Sequence, residues 1–195
     1  TKTASCSFTP SGAGTHVYTA SYSGTSGLGS SFGNVSLVVN KQTPTVVVTT
    51  TPSAPGAGQT LMLTAALSPN TVTGMVDFKE GTNLLCGAVP LSGTTTKTAT
   101  CTLAAASVIA GSHTYAGNYL GDGNSSTASG TKTVTVLAAS NTIVSVFPDP
   151  STYNTTRTIT ATITPNTVTG TVAFSDNGSG LTGCGNVAVS GTTNK

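Results

Sequence analysis

Apolar residues along this chain recur at every second position in short runs, and Gly, Pro or Asn closes nearly every run. Over residues 60–67, Leu61, Leu63, Ala65 and Leu67 share one face, the period of an extended strand covered on one side. The same reading predicts strands at 45–51, 98–103, 113–119 and 132–137, with a turn at Pro69 and Asn70. Gly74, Val76 and Phe78 are expected to point inward from the strand after that turn, and Leu84, Leu85 and Val89 to form a short middle region. Thr and Val dominate these runs and helix signals are nearly absent. Apolar faces of this kind need a second sheet over them, so the pattern predicts an all-β, two-sheet sandwich.

The pattern also repeats. Residues 68–78 read SPNTVTGMVDF, and 96 positions later residues 164–174 read TPNTVTGTVAF. The opening TKTASC answers to TKTATC at 96–101, His16-Val17-Tyr18 to His113-Thr114-Tyr115, and the closing SGTTNK to SGTTTK at 92–97. Tyr18, Ala20 and Tyr22 match Tyr115, Gly117 and Tyr119. Ile159, Ala161 and Ile163 match Leu63, Ala65 and Leu67, while Arg157 replaces Leu61 at a strand end that reaches solvent. Three segments follow: 1–40 as the C-terminal half of a repeat, 41–138 as a complete repeat, and 139–195 as the N-terminal half of another. The joints are short and not Gly/Ser tethers, which predicts a semi-rigid string of beads. Two origins for the half-repeats stay open: a window of a longer polypeptide, or subunits whose half-sandwiches complement one another head to tail.

Charge changes the picture by exclusion. Only 6% of residues are charged and the net charge is +2, too little for binding a phosphate backbone or for polybasic membrane attachment. No run approaches eighteen apolar residues, so no membrane insertion of this segment is expected.

Each full repeat carries two cysteines. Cys86 and Cys101 lie fifteen positions apart, Cys6 matches Cys101, and Cys184 matches Cys86. A disulfide Cys86–Cys101 is expected, with an oxidising, extracellular or cell-surface location. Cys6 and Cys184 are candidates for a bridge between repeats or between chains. The alternative is a pair of buried free thiols in a cytosolic protein; paired recurrence and composition argue for the bridge.

Residues 43–81 (TPTVVVTTTPSAPGAGQTLMLTAALSPNTVTGMVDFKEG) and 110–126 (AGSHTYAGNYLGDGNSS) resemble the bacterial immunoglobulin-like repeats of large surface and extracellular proteins. The resemblance covers the middle repeat and, in fragments, both halves. It implies tandem immunoglobulin-like Greek-key β-sandwiches that act as stalks or spacers in adhesins and filaments. Within it, Gly74, Val76 and Phe78 answer to a core strand, Gly111-Ser112-His113 to a turn, and Tyr119 to a tyrosine packed near the sandwich end. The cysteine pair departs from the family and lacks the spacing of the antibody intersheet bridge, so it reads as a local staple between neighbouring strands or a closed loop.

Candidate chemistry is thin. His16 and His113 stand at equivalent strand starts without evident partners for catalysis or zinc, and Asp77 and Glu80 about Lys79 read as an exposed turn. Asp122 in GDGNSS, Asp149 and Asp176 lack the dense acidic oxygens of a calcium loop. No catalytic residue, metal site or cofactor is expected. Sequons place glycosylation candidates at Asn34, Asn124 and Asn154, where sugars would supply the solubility that charge does not. The expected function is a non-enzymatic structural repeat of an extracellular filament or stalk, with neighbouring copies as partners. The alternatives are an adhesive module for a glycan or surface receptor, or the spacer of a secreted enzyme.

Overall fold

The computed structural model describes residues 1–191 and is all-β, built of antiparallel sheets with one 3-10 turn at Ala105–Ser107. The described residues fall into two compact units, Thr1–Ala138 and Ala139 onward. The first begins with a hairpin, β1 (Gly14–Tyr22) and β2 (Ser31–Val39). Then come β3 (Thr45–Thr51), β4 (Leu61–Ser68), β5 (Met75–Glu80), β6 (Asn83–Pro90), β7 (Lys97–Leu103), β8 (Gly111–Tyr119) and β9 (Ala128–Val136).

Strands β3 to β9 make two sheets, ordered β3-β4-β7 and β6-β5-β8-β9. The chain lays β3 and β4 in the first sheet, crosses for β5 and β6, returns for β7 and crosses again for β8 and β9. Alternation explains why the sheets meet. Leu61, Leu63, Ala65 and Leu67 are buried from β4, and Ala99, Cys101 and Leu103 from β7. They meet Val76, Phe78, Tyr115, Tyr119, Val134 and Val136 from the facing sheet in one core. Burying side chains of this size stabilises by about 1.5–3 kcal/mol each relative to exposure, which offsets the ordering of the strands. At one open side β3 lies alongside β9, flanked by the parallel bridges Gln42↔Ser125 and Gly56↔Leu137. Gly130 is required there, because a Cβ on it would stand 2.1 Å from the Val46 carbonyl oxygen.

Three local expectations need correction. Gly74 does not point inward from a strand. It is exposed, with φ 99°, and turns the chain into β5, while Val72 fills the core at that end. The middle region is a full strand, β6, paired with β5 through a bulge near Phe78. Asp77 is half-buried within β5 rather than in a turn, and its carboxylate accepts the N–H of Ala88, itself held at φ 50°, at 2.8 Å.

The second unit holds β10 (Asn141–Phe147) and β11 (Thr158–Thr164), then β12 (Thr171–Val172), β13 (Ser175–Asp176), β14 (Ser179–Gly180) and β15 (Val187–Ala188). β10 pairs with β11, β12 with β15 and β13 with β14. Arg157 precedes β11 and donates to Ser151 Oγ and, at 3.3 Å, to the Thr152 carbonyl.

Candidate functional site

Two constructions stand out in the first unit, a bridge between its sheets and a clasp at one end. Cys86 and Cys101 form a disulfide with their Cα atoms 6.0 Å apart. Of the two readings, a staple between neighbouring strands or a closed loop, the bond fits the second, closing the connection from β6 to β7. β6 is the outer strand of one sheet and β7 of the other, so the bond ties the two layers at their open side. The opposite side is closed by β3 against β9, and the core is thus held at both margins. Closing a fifteen-residue separation is worth about 3 kcal/mol in the chain-entropy account. Cys6 (exposed) and Cys184 (half-buried) are free thiols.

The clasp is centred on Asp122, in the loop between β8 and β9. One carboxylate oxygen accepts the N–H and the hydroxyl of Thr73, each at 2.9 Å. The other accepts the N–H groups of Asn124 at 2.8 Å and Ser125 at 2.6 Å. Burial works to raise the carboxyl pKa, but these four donors outweigh it and hold the group well below the usual carboxylate range. Donors occupy both oxygens, so the loop is built as a hydrogen-bond knot. Beside it Tyr119 donates to the Thr73 carbonyl at 2.6 Å. Burial first, then Asp122, pushes that phenol above its ordinary range.

The same loop receives the chain arriving from β2. Gln42 N–H donates to the Asn124 carbonyl and Ser126 N–H to the Gln42 carbonyl, both at 2.9 Å. Lys41 Nζ donates to the Asp122 carbonyl at 2.6 Å, and Ala13 N–H to the Asn124 side-chain oxygen at 2.8 Å. The first joint is therefore fastened by backbone pairing rather than left as a tether. Sequence reasoning noticed Asp122 but not this role, because Thr73 lies 49 positions away.

The histidines have modest assignments. His113 lies between two acceptors, Glu80 Oε1 at 2.7 Å from Nδ1 and the Ile109 carbonyl at 3.0 Å from Nε2. His16 Nε2 meets the Gly12 carbonyl at the same 3.0 Å. Among the described residues no group of three or more His, Cys, Asp or Glu could hold a metal ion, and no helix is long and apolar enough to cross a membrane. Asn34 is exposed on β2, Asn124 is exposed with its oxygen engaged by Ala13, and Asn154 is exposed in a turn. No family model matches the chain, and no curated protein matches it.

Proposed function

We propose that this chain is a stretch of tandem immunoglobulin-like Greek-key sandwiches serving as a non-enzymatic structural element of an extracellular filament or surface stalk. The observation that carries the reading is geometric repetition. β1–β2 and β8–β9 pair through nine register positions with the same 97-residue offset, Gly14↔Val39 answering to Gly111↔Val136. In both hairpins a histidine reaches back four residues to a carbonyl at 3.0 Å, and its ring stacks 6.0 Å from the next inward tyrosine. A unit stamped out with this fidelity, tied across its sheets and fastened at its joint, suits the spanning of distance. The Cys86–Cys101 bond favours an oxidising compartment.

The test is immuno-electron microscopy of the source cells with antibodies against the chain. Label spaced along filaments or stalks outside the envelope is expected, and cytoplasmic label would sink the reading. An adhesive role is the second reading. It draws support from the apolar residues exposed on β1–β2, Val17, Phe32 and Val38, and a glycan array probed with the full chain decides it.

A further inference from the structure

We infer that the loop 121–126 is a selective socket for the end of the preceding repeat. It takes an end that carries Gly12, Lys41 and Gln42, and it turns away one built like the end of the complete repeat. Successive repeats of this chain are therefore not interchangeable at their joints. This rests on the tandem-repeat part of the function proposed above, and not on its location outside the cell.

The complete repeat preforms the socket. Asp122 gathers the N–H groups of Asn124 and Ser125 on one carboxylate oxygen and Thr73 on the other, so the loop is shaped from inside its own sandwich. Asp122 is thus a positioning residue through its carboxylate. The contacts to the preceding repeat come from its carbonyl and from the residues after it.

Part of what fills the socket is indifferent to sequence. Gln42 N–H donates to the Asn124 carbonyl at 2.9 Å, and Ser126 donates its N–H at 2.9 Å and its hydroxyl at 3.2 Å to the Gln42 carbonyl. Any residue but proline would make these bonds. The rest depends on side chains. Lys41 Nζ donates to the Asp122 carbonyl at 2.6 Å. Gln42 Nε2 donates to Ser125 Oγ at 3.1 Å, and Ser125 is 1% exposed, so the glutamine supplies a partner to a buried hydroxyl. Asn124 Oδ1 accepts the Ala13 N–H at 2.8 Å, and Gly12 leaves the room for it. A Cβ at Gly12 would stand 3.1 Å from that oxygen.

The end of the complete repeat lacks each of these features. At the 97-residue offset that relates β1–β2 to β8–β9, Gly12 becomes Ile109 and Ala13 becomes Ala110. The histidines fix this match, since His16 reaches the Gly12 carbonyl as His113 reaches that of Ile109. After β9 come Leu137, Ala138 and Ala139, with neither lysine nor glutamine. An isoleucine in the place of Gly12 would set a branched Cβ against Asn124 Oδ1 and push the amide off the Ala13 N–H. Alanines in the places of Lys41 and Gln42 would strip the Asp122 carbonyl of its ammonium and the Ser125 hydroxyl of its amide donor. Attraction to one end and a clash against the other are the two components of specificity. The socket varies as well, for Thr25 and Gly27 stand where Asp122 and Asn124 do. Ends and sockets thus differ between two repeats whose hairpins match through nine register positions.

Two chain segments enter the socket, 12–13 before β1 and 41–42 after β2. A single linker leaves neighbouring domains free to swing, whereas a second point of attachment fixes the hairpin at one angle to the sandwich.

The experiment is solution NMR of the full chain, with residual dipolar couplings for β1–β2 and β3–β9 and amide exchange at Ala13, Gln42 and Ser126. One alignment tensor is expected to fit both groups of strands in the parent. Gly12→Ile, which gives the first end the residue of the complete repeat, should require two tensors and speed exchange at the three amides about tenfold. Asn124→Ala should do the same, while Asn124→Asp, which keeps an acceptor oxygen, should hold the single tensor. Ile109→Gly, at a site 61% exposed, is the control and should leave the joint as in the parent. Two tensors in the parent, parent-like couplings in both Gly12→Ile and Asn124→Ala, or equal loosening by Ile109→Gly would each overturn the inference. The sandwich reading stands or falls separately, on whether couplings within β3–β9 fit its two sheets.

Discussion

The β1–β2 hairpin and its counterpart β8–β9 share register, length and a histidine-to-carbonyl contact, yet the same inward positions are exposed in one and sealed in the other. Strand formation and hairpin pairing thus follow from local sequence, whereas burial follows from what lies opposite. β8–β9 has β5 paired beside it and the β3-β4-β7 sheet across from it; β1–β2 shows its tyrosines and valines to solvent.

The comparison breaks most visibly at its tyrosines. Tyr119→Ala empties a sealed position and strips the Thr73 carbonyl of its donor, so a loss of about 3–5 kcal/mol is expected. Tyr22→Ala in the dilute, reduced chain should stay within about 0.5 kcal/mol. Chemical denaturation of both variants checks this, and equal losses would mean that the hairpin is covered in solution. Next in size is the bridge. Cys86→Ser with Cys101→Ser should lower stability by about 3 kcal/mol, with the fold kept because the β3–β9 side and the core remain. Differential scanning calorimetry reads the shift, and an unchanged midpoint would show that the bond constrains nothing.

How far the fold was legible depended on the kind of signal. Alternation at Leu61, Leu63, Ala65 and Leu67 marked β4 and its buried face directly, since a period of two has one structural meaning. β6 escaped because Gly87 and the bulge opposite Phe78 interrupt its alternation. The cysteine spacing gave a loop length but not the sheet to which each strand belongs, so a local staple and a closed loop both stayed open. Gly74 was mistaken for a strand residue because the TG dipeptide adjoins a clear run. The clasp on Asp122 was invisible, as its donors come from Thr73 and from backbone N–H groups that no side-chain motif records.

A glycine pair sharpens the contrast further. Gly130→Ala drives a Cβ toward the Val46 carbonyl and should cost about 1–3 kcal/mol through displaced backbone. Gly33→Ala meets open space and should leave the monomer unchanged or slightly more stable, because alanine narrows the unfolded ensemble. Thermal melts of the two single variants, run under reducing conditions, decide it; matching losses would contradict the bare face of β1–β2.

The smallest effect is the most diagnostic of the joint. Asp122 is ionised in the fold well below the pH at which a free carboxylate protonates, so its knot contributes fully above the ordinary Asp pKa of 3.8. As pH falls below that value the unfolded chain takes up the proton first, and the contribution drains away toward the depressed folded pKa. Asp122→Asn keeps the shape but offers one acceptor oxygen and an NH2 where two charged oxygens met four donors. A loss of about 1–2 kcal/mol at neutral pH is expected, shrinking as pH drops, since charge-assisted bonds at a partly exposed site are the part removed. Urea denaturation of parent and variant from pH 7 to 3 should therefore give curves that converge on the acid side. Thr25, the counterpart in β1–β2's own loop, makes no such knot, so Thr25→Asn should show no convergence. Parallel curves for Asp122→Asn would mean that the loop is held by the Gln42 backbone pairing instead of by the carboxylate.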